Sequence, residues 1–163
     1  MPNATRILSP EFIRAFFATA VLSALFVATA AIAPAGAIEP VYSADGAAIH
    51  GYDPVAYFSE ESAVPGKTEF AHEYGGTTWR FASAGNRDKF AAEPEKYAPQ
   101  YGGYCAWAVS QGYTAPVDPD AWSIRDGKLY LNYSKLIRAR WALDKDSNIA
   151  AANANWPGLR DGG

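Results

Sequence analysis

The stretch YAPQYGGYCAWAVSQG, residues 97–112, decides the fold and contains the single cysteine of the chain, Cys105. Gly102 and Gly103 tolerate positive φ and close backbone approach, which suits a sharp entry into a buried segment. The apolar run that follows them predicts that this segment lies at the centre of a domain. Cys105 is predicted to be a small core residue, although a thiol is also a soft metal ligand and a redox-active group.

Composition around this stretch is that of a folded protein. The chain has 163 residues, of which 49% are hydrophobic and 14% are aromatic, far from the composition of disordered proteins. This length predicts one domain once a targeting segment is removed. The net charge is −3 and the basic residues are scattered, so there is no basic stripe for nucleic acid.

The N-terminus has the pattern of a secretory signal peptide. Arg6 and Arg14 precede an Ala-rich apolar run, and Ala35-Gly36-Ala37 has the small residues of a cleavage site. We predict a signal peptide over residues 1–37, a mature chain that begins near Ile38, and a periplasmic or secreted protein without stable membrane association after cleavage. The alternative is an uncleaved anchor, because the run approaches the roughly 20 apolar residues of a spanning helix.

Turn residues predict an α+β domain over residues 38–163, with short antiparallel hairpins and packed helices. One hairpin is expected around Gly75-Gly76 and a second around Asp126-Gly127. Four positions have the residues of a helix start: Asp53-Pro54, Ser83, Asp118-Pro119 and Ser134. The core candidates of the C-terminal half are aliphatic or aromatic: Ile124, Leu129, Leu131, Leu136, Ile137, Trp141 and Leu143.

Four ordered motifs in the first half of the chain resemble the YHS domain family. They are GYDPVAYF at 51–58, WRFAS at 79–83, RDKF at 87–90 and PEKY at 94–97. The resemblance covers about residues 47–98 and implies a small domain related to the treble-clef metal-binding modules. Residues 99–159 resemble the C-terminal extension of exported, stand-alone YHS proteins. The resemblance implies a fold rather than an activity.

The chain departs from the metal-binding pattern that this resemblance implies. In metal-linked members, cysteines follow the Asp-Pro-Val motif, follow the Phe of the hairpin and occur in the next turn. Ala56, Ala82 and Asn86 stand at those places here. Because none of them supplies a thiolate, a tetrahedral cysteine site of that kind is excluded.

Three classes of function stay open. The first is an exported, non-enzymatic binding or accessory protein that holds a soft metal ion such as copper or zinc. Its ligands would be Cys105, His50 and His72, the only thiol and imidazoles of the chain. No internal disulfide can form, so in an oxidising compartment Cys105 is buried, metal-bound or paired with another molecule. The spacing of the three residues does not force them together.

The other two classes use aromatic residues or the thiol. A small molecule could bind in an aromatic pocket, because ligand pockets are mostly apolar with a few polar anchors. The candidate pocket residues are Tyr52, Tyr57, Trp79, Tyr104 and Trp107. The further alternative is a cysteine-dependent enzyme in which Cys105 is the nucleophile, a histidine is the base and Asp53 orients that base.

Overall fold

A computed structural model describes residues 38–162 of the chain, so the predicted signal peptide lies outside the described residues. Within this range the strands form three separate antiparallel pairs, and helices pack around them, which confirms the α+β fold class. The strands are β1 (Ser43–Ala44), β2 (Ala47–Ala48), β3 (Lys67–Tyr74), β4 (Thr77–Phe81), β5 (Asp118–Arg125) and β6 (Lys128–Asn132). Between Ile38 and Gly162 no helix is both long and apolar enough to cross a membrane. The treble-clef relation stays a prediction.

The helices of the described range are mostly short. They are α1 (Ala56–Ser59), α2 (Ala84–Ala92), α3 (Pro94–Tyr97), α4 (Ala106–Ser110), α5 (Lys135–Ala142) and α6 (Lys145–Asp161). Two predicted serine caps are confirmed, because the Ser83 hydroxyl accepts a hydrogen bond from the Asn86 N–H and the Ser134 hydroxyl accepts one from the Ile137 N–H. These caps set where α2 and α5 begin.

Both predicted hairpins are present. β3 pairs with β4 across Gly75-Gly76, and β5 pairs with β6 across Asp126-Gly127. Asp126 and Gly127 have φ of 51° and 70°, the two positive angles that a tight two-residue hairpin turn requires. The twist of this turn matches that of the paired strands, so β6 pairs with β5 directly after the turn. The residues of β6 that follow, from Leu129 onward, are buried.

The Asp118-Pro119 prediction is wrong, because these residues begin strand β5 rather than a helix. The Asp118 carboxylate accepts a hydrogen bond from the Asp120 N–H at 2.9 Å, a local turn that leaves the following residues free to pair. Pairing with β6 then determines the conformation of this segment. Ile124 is also not a core residue, since it lies close to the hairpin tip and is 37% exposed.

The final helical region differs from its prediction in two respects. Trp141 is fully buried, but Leu136 and Leu143 are 78% and 87% exposed, so these apolar residues do not share one buried face. The helix ends at Ala142, and the Asp144 carboxylate caps α6 by accepting from the Ser147 N–H. Helix α6 then continues past Pro157 to Asp161.

The core consists of two adjoining hydrophobic clusters, and Trp107 packs against both. The first cluster lies among the N-terminal strands, α1, α2 and β6, and its largest fully buried members are Tyr57, Trp79, Phe81, Phe90, Ile49, Leu129 and Leu131. The second lies between α4, α5 and α6 and comprises Tyr101, Ala106, Val109, Tyr130, Trp141 and Ala152. Strand β6 contributes to both, because Tyr130 and its two leucine neighbours point to opposite faces.

The Gly102-Gly103 pair forms the predicted sharp entry to the central segment. A β-carbon on Gly102 would collide with the carbonyl oxygen of Pro40, and both glycines have positive φ. The close approach lets the Tyr42 N–H donate to the Gly102 carbonyl oxygen at 2.8 Å. The turn therefore directs the chain into α4 and places Cys105 at the start of that helix.

Candidate functional site

A cavity of about 230 Å³ lies beside Cys105, and we call it the Cys105 pocket. Its lining comes from α4, the loop that follows α4, the end of β6 and α5: Cys105, Trp107, Ala108, Tyr113, Ala115, Tyr133 and Ile137. No acidic or basic side chain is among these lining residues. The pocket therefore has an aromatic and aliphatic wall with one thiol.

The Cys105 thiol is held by the end of β6. The Tyr133 backbone N–H donates to Sγ at 3.3 Å, and Sγ donates to the Asn132 side-chain oxygen at 3.8 Å. The Cys105 N–H donates to the Ala115 carbonyl oxygen at 3.1 Å, which fixes the loop opposite. Cys105 is 1% exposed, which confirms its prediction as a buried residue. The thiol is thus a positioned part of the pocket wall.

Asn132 connects the two sides of this arrangement. Its side-chain oxygen also accepts from the Trp107 backbone N–H at 3.2 Å, so one buried amide ties the start of α4 to the end of β6. Asn132 is fully buried, and its Nδ2 has no hydrogen-bond partner among the described residues. A buried N–H group without a partner lowers stability, so this end of the Asn132 amide opposes the stabilising bonds of its oxygen.

The outer part of the pocket is formed by exposed aromatic groups. Tyr113 and Tyr133 are 48% and 57% exposed, although both line the cavity. The Trp107 ring is covered by the Arg140 guanidinium, whose central carbon lies 4.8 Å from the ring centroid. The pocket thus opens between large side chains that can contact a bound molecule.

Of the five residues predicted to form an aromatic pocket, only Trp107 lines this one. Tyr57 and Trp79 belong to the core, at 0% and 1% exposure. Burial raises the pKa of Tyr57 far above the ordinary tyrosine value, and its hydroxyl donates to the Pro119 carbonyl oxygen at 3.0 Å. Tyr57 and Trp79 therefore fill the interior of the domain as core residues.

The remaining two predicted aromatic residues lie elsewhere. Tyr104 packs against Tyr42 and Trp156, and its hydroxyl donates to the Glu39 carbonyl oxygen at 3.0 Å. Tyr52 is half-buried and forms an isolated bridge with Pro65. Neither side chain lines the Cys105 pocket, whose aromatic lining residues are Trp107, Tyr113 and Tyr133.

The three predicted metal ligands are not brought together. In residues 38–162 there is no group of three or more His, Cys, Asp or Glu side chains arranged to hold a metal ion. His50 Nε2 lies 3.1 Å from the Tyr42 hydroxyl and 3.2 Å from the Val117 carbonyl oxygen. His50 Nδ1 lies 3.6 Å from the Asp45 carboxylate, so both ring nitrogens face oxygen atoms of the protein. His72 packs against the edge of Phe90 instead.

Asp53 is buried completely, and four donors converge on its carboxylate. Oδ1 accepts from the N–H groups of Val55 and Ala56, at 2.8 and 3.3 Å. Oδ2 accepts from the Ala82 N–H at 2.8 Å and from the Asn86 side-chain amide at 2.7 Å. The carboxylate therefore joins the start of α1, the end of β4 and the first turn of α2. No imidazole hydrogen-bonds to Asp53 or to Cys105, so the residues of the enzyme alternative are not assembled.

Residues 55–101 match the family model of the YHS domain. The chain contains a YHS domain. Ala56, Ala82 and Asn86 of this YHS domain, which the resemblance places at cysteine positions of metal-linked members, all donate to Asp53. These residues do not fit a metal ion, because they supply no thiolate and four donors occupy the lone pairs of the carboxylate.

The Cys105 pocket lies wholly beyond the matched YHS residues, in the C-terminal extension. No curated protein and no solved structure matches the chain at a significant level. The matched residues contain the four donors to Asp53, whereas Asp53 itself precedes the match, and the match leaves the function of the pocket open.

Proposed function

We propose that this chain is an exported, non-enzymatic binding protein that holds a small, largely apolar molecule in the Cys105 pocket. The observation that carries the proposal is the pocket lining, in which Trp107, Tyr113, Tyr133 and Ile137 surround a single thiol without any charged side chain. Ligand pockets commonly combine such an apolar wall with few polar anchors. The sequence predicted a small-molecule pocket as an alternative, with Trp107 as its one shared residue.

The size of the pocket limits its ligand. A volume of about 230 Å³ is below the roughly 300–1,000 Å³ of pockets for drug-sized molecules. An apolar cavity of about 150 Å³ can hold one benzene molecule. The ligand that we propose is therefore one aromatic ring, or a branched aliphatic group of similar volume, with one small substituent.

YHS domains are often linked to metal handling, in particular of copper. In this chain the small-molecule alternative is favoured, because His50 and His72 are engaged by Tyr42, Val117 and Phe90 and do not accompany Cys105. The pocket retains one soft ligand atom, the Cys105 sulfur. One thiolate without further protein ligands does not complete a copper or zinc shell.

Calorimetric titration of the mature protein with toluene, phenol and indole tests the binding proposal. Ala115→Leu adds three carbon atoms at the pocket wall and is expected to abolish binding. Ala91→Leu, the same substitution on the exposed surface of α2, is the matched control and should leave binding unchanged. Thermal melts establish that both variants fold. Unchanged affinity in Ala115→Leu, or no binding by the unsubstituted protein, would contradict the proposal.

Export is proposed from the signal-peptide pattern of residues 1–37. It is supported by the position of the first packed residues, since the Glu39 carbonyl oxygen and the buried Val41 side chain already contact the fold. Cleavage after Ala37 would therefore leave only Ile38 before Glu39, whose carbonyl oxygen is bonded to the fold. Intact-mass measurement of the exported protein should give a chain that begins near Ile38, and recovery of a membrane-bound chain that retains residues 1–37 would refute the cleavage.

A further inference from the structure

One cationic side chain stands beside the Cys105 pocket. Arg140 lies one helical turn after Ile137 on α5, and its guanidinium covers the Trp107 ring. Ile137 and Trp107 both line the pocket. Arg140 is exposed and forms neither an ion pair nor a side-chain hydrogen bond with the part of the chain that the structure describes. Arg140 is not itself a lining residue, but its guanidinium N–H donors have no protein acceptor in the described range where it stacks on the lining residue Trp107.

The neighbouring basic residues of the same helix are engaged in a different way. Arg138 donates to the Trp122 carbonyl oxygen at 2.8 Å, and the Lys135 ammonium lies 3.9 Å from the Asp120 carboxylate. Arg140 instead stacks on an aromatic ring that belongs to the pocket. This stacking restricts the guanidinium without neutralising its charge.

Two exposed tyrosines that line the pocket, Tyr113 and Tyr133, add two hydrogen-bond donors. Tyr113 and Tyr133 are about half exposed, and their hydroxyl groups bond to no other protein group between Ile38 and Gly162. Since no carboxylate lines the cavity, a negatively charged ligand group would not be repelled by a negative charge among the lining residues. The pocket therefore combines an apolar lining with two tyrosine hydroxyl groups, and one arginine stacks on its lining residue Trp107.

We infer that the ligand of the Cys105 pocket is a small aromatic or branched aliphatic carboxylate, whose apolar part enters the cavity and whose carboxylate is held by Arg140. This inference rests on the proposed function and specifies its ligand class. A planar guanidinium matches a carboxylate with two parallel hydrogen bonds, which an ammonium group cannot provide in the same geometry. The volume limits the apolar part to one ring with a short linker.

Titration with phenylacetate and with its neutral isostere phenylacetamide tests this inference. The unsubstituted protein should bind phenylacetate more tightly, and Arg140→Gln should weaken phenylacetate binding about three- to ten-fold, between the effects of an exposed ion pair and of a charge-assisted hydrogen bond. Phenylacetamide should bind both proteins equally. The matched control is Arg87→Gln, which removes an arginine that is paired with Asp88 on α2 and should change neither affinity.

Three results would overturn the inference, and they are distinguishable. Equal affinity for the acid and the amide would show that no anionic group is recognised, while the proposed apolar pocket would stand. Equal weakening of both ligands in Arg140→Gln would show that Arg140 only holds the Trp107 ring in place. If the unsubstituted protein binds neither these two compounds nor toluene, the proposed function fails and the ligand class fails with it.

Discussion

Replacing Asp53 by Asn should destabilise the protein strongly, although the two side chains have nearly the same shape. Each carboxylate oxygen of Asp53 accepts two hydrogen bonds, from Val55 and Ala56 on one side and from Ala82 and Asn86 on the other. An amide keeps one acceptor oxygen and presents an NH2 group in place of the other. Whichever way it turns, two donors lose their acceptor and face another donor.

The expected loss is about 2–4 kcal/mol of unfolding free energy, because each buried donor left without an acceptor costs about 1–2 kcal/mol. We take the lower part of the usual range since Ala82 is only half-buried. This is a large share of the roughly 5–15 kcal/mol by which a domain is stable. Urea unfolding at pH 7, followed by tryptophan fluorescence, measures the difference.

Asp118→Asn provides the matched control for this experiment. Asp118 also precedes a proline, but its carboxylate accepts a single exposed hydrogen bond from the Asp120 N–H. Its substitution should change stability by less than about 0.5 kcal/mol, as is usual for surface positions. If Asp53→Asn were as stable as Asp118→Asn, the four-donor centre would not stabilise the YHS domain and the reasoning would be refuted.

Three further predictions concern single residues of the central segment and core. Cys105→Ala should lose about 1–2 kcal/mol in urea unfolding, and the native thiol should react slowly with labelling reagents; fast labelling would refute its burial. Gly102→Ala should lower the melting temperature far more than Gly127→Ala, since only the former meets the Pro40 carbonyl group, and equal losses would contradict that contact. Burial raises the pKa of Tyr57 in the folded protein, so its contribution to stability is complete below pH ~10 and declines at higher pH as the unfolded chain ionises. Tyr57→Phe should therefore lose less stability between pH 8 and pH 11 than the parent does, and an identical decline would count against this cause.

Features that depend on local chemistry could be predicted from the sequence. The Asp126-Gly127 turn and the serine caps of α2 and α5 follow from a few adjacent residues, and each is present. The same local signals do not predict the structure where pairing with a distant segment determines the conformation. Asp53-Pro54 and Asp118-Pro119 are identical dipeptides, yet the first precedes a short helix and the second begins a strand, because β6 pairs with the residues that follow it.

The site could be predicted only in part. Cys105 and Trp107 were recognisable because they lie in the apolar run that enters the core. Tyr113, Tyr133 and Ile137 come from a loop, a strand end and a helix that are brought together by the fold, and nothing in their spacing along the chain indicates this. Conversely, Tyr57 and Trp79 are aromatic residues of the kind that lines pockets, but they are buried in the core. The sequence does not reveal which aromatic rings line a cavity and which fill the interior.

Methyl NMR of the mature protein during titration with toluene tests the binding claim most directly. The methyl groups of Ala108, Ala115 and Ile137 line the Cys105 pocket, whereas the buried Ile49 and the exposed Leu136 provide signals away from its lining. We predict saturable shifts of the three pocket methyl signals with a common dissociation constant, and little change at Ile49. Absence of saturable shifts, or shifts that spread evenly over the core methyl groups, would contradict a binding site beside Cys105.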